Sequence, residues 1–231
     1  MTARYAIYFA PRSDSLLWQL GCLWHGRDPW SGAFHMPGLP EGLTRQRYEE
    51  IVDQARGYGF HATLKPPFYL VSSATEGALI AQMAEFARRI APFVAPALEV
   101  SRMDGFLALT LTSGSAELSD LCARCVAEFD RFRAPISQQE LARRRKVGLT
   151  PRQDELLVKW GYPYVMSEWR FHMTLTASLK EPECGLVEKQ LAGMFRRVTA
   201  APLYVDRIAL FKQEMPDRPF AVSKWFPFGI E

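Results

Sequence analysis

One short pattern occurs twice in this chain. Phe60-His61-Ala62-Thr63-Leu64 and Phe171-His172-Met173-Thr174-Leu175 both read Phe-His-x-Thr-Leu. With four histidines among 231 residues, two His-x-Thr pairs arise by chance in roughly 1% of such chains, before the flanking Phe and Leu are counted. Each segment alternates as a strand does, with the His and Thr on one face and the Phe and Leu elsewhere.

The surroundings of the two segments also repeat. A helix pattern carrying Leu79, Met83, Phe86 and Ile90 follows the first, then strand-like runs at 97–103 and 106–112 around the turn pair Asp104-Gly105. A helix carrying Val187, Leu191, Met194 and Phe195 follows the second, then strands at 203–211 and 220–226. The repeated order points to an internal duplication. The expected architecture is α+β, one bilobal domain with a pseudo-twofold duplication. Two antiparallel sheets would face a central cleft, with helices on the outer faces. The motif-bearing repeats run over about 58–112 and 168–228, joined by a helical connector over about 115–161.

Upstream, Arg4 to Phe9 alternates as a strand, and Ser13 can cap a helix carrying Leu16, Leu17, Leu20 and Leu23. Thr44 opens a second helix with Tyr48, Ile51, Val52 and Ala55 on its apolar side, ended by Gly57 and Gly59. The first motif strand, over 60–70, is interrupted at Pro66-Pro67, and the second spans about 169–177. In the connector, one helix is expected over 118–132. Ser137 with Glu140, and Thr150 with Gln153, read as capping boxes. The run Arg143-Arg144-Arg145-Lys146 reads as a solvated helix face, with a clamp for an anionic ligand as the minority reading.

Bulk properties set outer bounds. Hydrophobic residues make up 48% and charged residues 23%, ordinary for a globular chain with a sizeable core. The net charge of +3 does not mark a nucleic-acid binder. No apolar run is long enough for a membrane span. The start lacks a signal peptide's apolar stretch, and the cysteine usage fits a reduced, cytoplasmic protein best. Cys122 and Cys125 form C-x-x-C, but both fall on the apolar face that includes Leu118, Leu121, Val126 and Phe129. They are expected in the core, not on a metal.

In a strand, side chains two apart share a face, so His61, Thr63 and Lys65 are expected together, as are Arg170, His172, Thr174 and Thr176. If the two faces meet across a cleft, the inventory suits attack on a phosphodiester. One neutral imidazole takes a proton from the nucleophile, and one imidazolium gives a proton to the leaving oxygen. The catalytic candidates are therefore His61 and His172. Thr63 and Thr174 would donate to the non-bridging oxygens, with Lys65 and Arg170 adding charge. No metal or other cofactor is required. Tyr8, Tyr162 and Tyr164 are candidates to stack on or hydrogen-bond to a substrate, and Thr176 a further one. His25 and His35 have no partner motif and read as surface residues.

With these residues in view, the chain resembles the two-histidine phosphoesterase superfamily, which includes RNA 2′,5′-ligase-like proteins and cyclic phosphodiesterases. The likeness is carried by His61-Ala62-Thr63 and His172-Met173-Thr174. A branch named for phosphonate-metabolism operons is closer still over nearly the whole chain. The matching stretches include Arg4 to Pro11, Tyr58 to Lys65, Phe129 to Pro135, Trp160 to Tyr164 and Phe171 to Thr176. The resemblance implies a bilobal fold and cyclic or 2′,5′-phosphodiester chemistry. The branch implies a link to carbon–phosphorus bond breakdown, a route that passes through a ribose cyclic phosphate. The expected function is metal-independent hydrolysis of a small cyclic phosphate or nucleotide-derived phosphodiester, with a small phosphorylated substrate as the partner. RNA 2′,5′ processing or ligation, and a non-catalytic nucleotide- or RNA-binding module on the same fold, stand as alternatives.

Overall fold

A computed structural model of the chain describes residues 3–35 and 38–229. The elements run in the order β1 (Arg4–Phe9), α1 (Leu16–His25), α2 (Arg45–Tyr58), β2 (Ala62–Tyr69), α3 (Glu76–Arg88), β3 (Phe93–Met103) and β4 (Phe106–Leu111). They continue with α4 (Ala116–Glu128), α5 (Gln138–Arg145), α6 (Pro151–Trp160), β5 (Met173–Thr174), α7 (Glu183–Thr199), β6 (Pro202–Val205), β7 (Arg207–Gln213) and β8 (Ala221–Pro227). The strands form two antiparallel four-stranded sheets, ordered β2-β1-β7-β8 and β5-β4-β3-β6. The architecture is α+β.

Each motif strand is the outermost strand of its own sheet, and β2 and β5 touch across the gap between the sheets. The sheets do not coincide with the two halves of the chain. The sheet of β2 takes β7 and β8 from the second half, and the sheet of β5 takes β3 and β4 from the first. The exchange explains why the strand expected over 203–211 is two strands. The chain leaves β6 at Asp206 and enters the other sheet as β7. Helix α3 covers β7 and β8, while α7 covers β3 and β4. One continuous apolar core joins both layers.

Local chemistry accounts for most element ends. Thr44 caps α2, and its apolar side of Tyr48, Ile51, Val52 and Ala55 is buried. Ser15, not Ser13, caps α1, its side chain accepting from the Trp18 amide. The Thr150–Gln153 capping box is complete. At Ser137 only half of one forms, because the Glu140 side chain turns to Arg143 and Arg144. Asp104 and Gly105 take left-handed φ angles of 49° and 93°, the geometry of a tight hairpin between β3 and β4. The segment expected as one helix over 118–132 is α4 followed by a 3-10 turn over Asp130–Phe132.

The second motif strand is much shorter than its sequence suggests. Around Thr174, side chains stand in for a ladder. His25 Nε2 meets the Thr174 carbonyl at 3.0 Å, and Trp24 Nε1 donates to the Leu175 carbonyl at 2.8 Å. The Thr176 hydroxyl accepts from the Leu107 amide at 2.9 Å. Cys122 and Cys125 are buried against the core. Among the described residues no helix is long and apolar enough to cross a membrane.

Candidate active site

A cleft of about 570 Å³ opens between the sheets and holds both motifs. His61, Thr63, His172 and Thr174 line it, with Tyr8 beneath and Tyr162 at the wall. The two imidazoles are held by the same local contact. His61 Nδ1 lies 2.8 Å from the Gly59 carbonyl, and His172 Nδ1 lies 2.9 Å from the Arg170 carbonyl. A carbonyl can only accept, so in both rings Nδ1 carries the proton and Nε2 presents a lone pair. In His61 that lone pair is met by the Thr63 hydroxyl at 3.1 Å.

Gly59 is specialised for this duty. Its φ is +83°, and a Cβ there would come 2.8 Å from Pro29 Cγ. A side chain would displace the carbonyl that orients His61. The Tyr8 ring lies against the other side of the anchor, stacked on the His61 imidazole with centroids 3.6 Å apart and planes 17° apart.

Burial sets the charge state. It pulls His61 down to about 3, against the Gly59 hydrogen bond that favours the proton, with His172 nearby adding a smaller push downward. Burial also lowers His172, and the carbonyl of Arg170 opposes it. Without a bound anion both rings are therefore neutral near pH 7.

Three expected site residues lie elsewhere. Lys65 is buried on the opposite side of β2, its Nζ donating to the Val126 carbonyl at 3.0 Å and to Asp130 at 3.3 Å. The cause is a shift of strand register. Tyr8 pairs with Thr63 but Ile7 pairs with Lys65, so Leu64 is an extra residue and the alternation changes phase. A second shift occurs at Pro66-Pro67, where no N–H is available for the ladder. Burial, partly offset by Asp130, lowers the Lys65 ammonium to about 8.

Arg170 lies outside the cleft lining, exposed and paired with Asp104 at 2.7 Å. Tyr164 is also outside it, edge-on to Tyr162 with centroids 5.6 Å apart. Thr176 does line the cleft, but its hydroxyl oxygen is taken by the Leu107 amide.

Other residues line the cleft as well. Arg143 and Arg144 are there, against the solvated face expected first and in the place the minority reading gave them, and so are Arg4 and Tyr58. The signal for Arg4 was its place four residues before Tyr8 in an alternating strand. His25 is no surface residue. It is buried behind β5, burial lowers it to about 4, and its Nδ1 has no partner. His35 is exposed as expected.

The description "Protein of unknown function (DUF1045)" matches residues 63–221, most of the chain and both His-x-Thr threonines. The chain belongs to this family. Two curated relatives named "Ribose 1,5-bisphosphate phosphokinase PhnN" are each 37% identical to it. The protein from Janthinobacterium sp. (strain Marseille) matches over 98% of this chain and 51% of its own length. That from Laribacter hongkongensis (strain HLHK9) matches over 96% and 51%. The chain thus spans about half the length of the curated relatives it matches. Among solved structures it is similar to Escherichia coli LigT complexed with NADP+, at TM-score 0.43 and 12% identity over all of both chains. A structure titled as a phosphoesterase has TM-score 0.42 and 10% identity, also over all of both chains.

Proposed function

We propose that this chain is a metal-independent phosphodiesterase of the two-histidine type, acting on a small cyclic phosphate or a nucleotide-derived phosphodiester. The observation that carries the reading is the matched pair of Nδ1-anchored imidazoles in one cleft. Both rings offer Nε2 to a ligand, and both have a threonine two residues on.

Hydrolysis needs one ring neutral and one protonated. A bound phosphodiester anion raises both imidazoles and lets one take a proton. His172 is the better acid, since it is the less deeply enclosed ring and its charge is opposed less by burial. His61 is the base. Its Nε2 takes a proton from water as the water oxygen bonds to phosphorus. His172 Nε2 gives a proton to the leaving oxygen as the old phosphorus–oxygen bond breaks. Thr63 and Thr174 hydroxyls donate to the non-bridging oxygens. Solvent exchange then restores the starting protonation.

The relatives' printed names describe a kinase of a ribose phosphate, which supports a small sugar-phosphate substrate. The link to phosphonate metabolism rests on the resemblance. The test is a turnover screen over cyclic nucleotides, ribose cyclic phosphates and short 2′,5′-linked oligonucleotides, with chelator present. Turnover of the cyclic phosphates supports the reading. Preference for the oligonucleotides moves it to RNA processing, and no turnover with tight binding moves it to a binding module.

A further inference from the structure

The cleft is unbalanced in charge. Arg4, Arg143 and Arg144 line it, and among the described residues no Asp or Glu does. Glu140 sits behind the two α5 arginines and accepts from Arg143 at 2.7 Å and from Arg144 at 2.8 Å. One carboxylate thus serves two cations. Arg4 Nε donates to the neutral Gln213 amide oxygen at 2.7 Å, and Arg4 has no carboxylate partner among the described residues. Two positive charges are left over, while both histidines are neutral. A phosphodiester brings only one negative charge.

The spare donors line the same cleft as the histidines. Arg4 and Tyr8 project from the same side of β1, both line the cleft, and the Arg4 charge acts on the Tyr8 phenol. Tyr8 is fully buried, and its hydroxyl has no hydrogen-bond partner. An orphaned buried hydroxyl is destabilising, and a ligand oxygen would satisfy it. Burial raises the Tyr8 phenol, so it stays a donor. Tyr58, Tyr162 and Arg4 all lie near enough to act on it electrostatically. The Arg144 guanidinium lies over the Tyr162 ring, 4.8 Å from its centre, and is only about a quarter exposed.

We propose that Arg4, the Tyr8 hydroxyl and Arg144 form a second anion subsite that takes a phosphomonoester carried on the non-reacting part of the substrate. The inference rests on the phosphodiesterase reading and narrows it. The substrate is a phosphodiester that also bears a terminal phosphate, a multiply charged sugar phosphate or nucleotide. Discrimination comes from charge-assisted hydrogen bonds away from the scissile group.

The test is calorimetric titration of wild type, Arg4→Gln, Arg144→Gln and Tyr8→Phe with 3′-AMP and with adenosine 3′,5′-bisphosphate. Wild type is expected to bind the bisphosphate at least ~10-fold more tightly, the worth of one charged hydrogen bond. That preference should shrink to about 3-fold or less in either arginine variant. Tyr8→Phe keeps the ring on His61 and should weaken the bisphosphate more than the monophosphate. Added inorganic phosphate should compete with the bisphosphate. Equal affinities in wild type, or equal losses for both ligands in the variants, overturn the subsite and leave the phosphodiesterase reading standing. Phosphate that leaves binding of the bisphosphate unchanged also overturns it. Failure of both nucleotides to bind overturns the subsite, and the turnover screen decides the phosphodiesterase reading by itself.

Discussion

The Nδ1 atoms of His61 and His172 make the same hydrogen bond, each to the carbonyl two residues earlier in the chain, at 2.8 and 2.9 Å. The two rings stand one residue before edge strands of different sheets, yet each is fixed in the same tautomer by its own backbone. This shared anchor leaves Nε2 as the lone-pair nitrogen of both rings.

Replacing either His61 or His172 by Ala should lower the chemical rate by about 10²–10⁴-fold, the range for a positioned acid or base. Thr63→Ala and Thr174→Ala should cost about 10–10³-fold, as for a lost oxyanion donor. Single-turnover rates on a substrate found by the screen are the measurement. A wild-type rate in either histidine variant would sink the catalytic reading.

The pH dependence has a defined direction. Burial lowers His61 to about 3 and lowers His172 from 6.5. The base must be deprotonated and the acid protonated. The free-enzyme profile of kcat/KM should therefore be a bell lying below about 6.5, whichever ring plays which part. A bell centred above pH 7 would contradict this electrostatic picture.

Lys65 should behave as a structural residue. Lys65→Met should cost about 1–3 kcal/mol in urea unfolding, because Asp130 keeps its bond to Arg133 and only part of the network is lost. KM should not move. A raised KM with unchanged stability would return Lys65 to the cleft.

Acid should destabilise the fold through His25. Its folded pKa of about 4 lies below the ordinary 6.5. The unfolded chain takes up the proton first, so stability is full above about 6.5 and is lost as pH falls toward about 4. His25→Gln retains an N–H for the Thr174 carbonyl but does not titrate. Its stability should fall less than that of wild type across this window. Parallel urea-denaturation curves for the two proteins would refute the assignment.

Turnover should survive exhaustive chelation. Among the described residues no group of three or more His, Cys, Asp or Glu side chains is placed to hold a metal ion. The cleft offers a divalent cation two imidazoles and no carboxylate. Loss of activity with chelator and recovery with Zn²⁺ or Mn²⁺ would overturn the metal-free mechanism.

The doubled Phe-His-x-Thr-Leu, the caps at Thr44 and Thr150 and the Asp104-Gly105 turn were legible because their chemistry is local. Each depends on neighbours within four residues, and the sequence states those directly. From these the chain alone determined that two like strands would each present a histidine and a threonine. Tertiary structure decided what the rest of the cleft contains. Lys65 left its expected face because one extra residue in β2 shifts the register against β1. Such a phase change is a property of the pair of strands and cannot be seen in either one. Arg144 entered the cleft because α5 folds over Tyr162, and a helix this polar carries no apolar stripe to announce which side faces inward. His25 went inward because β5 needed a partner for the Thr174 carbonyl, a demand raised 149 residues away.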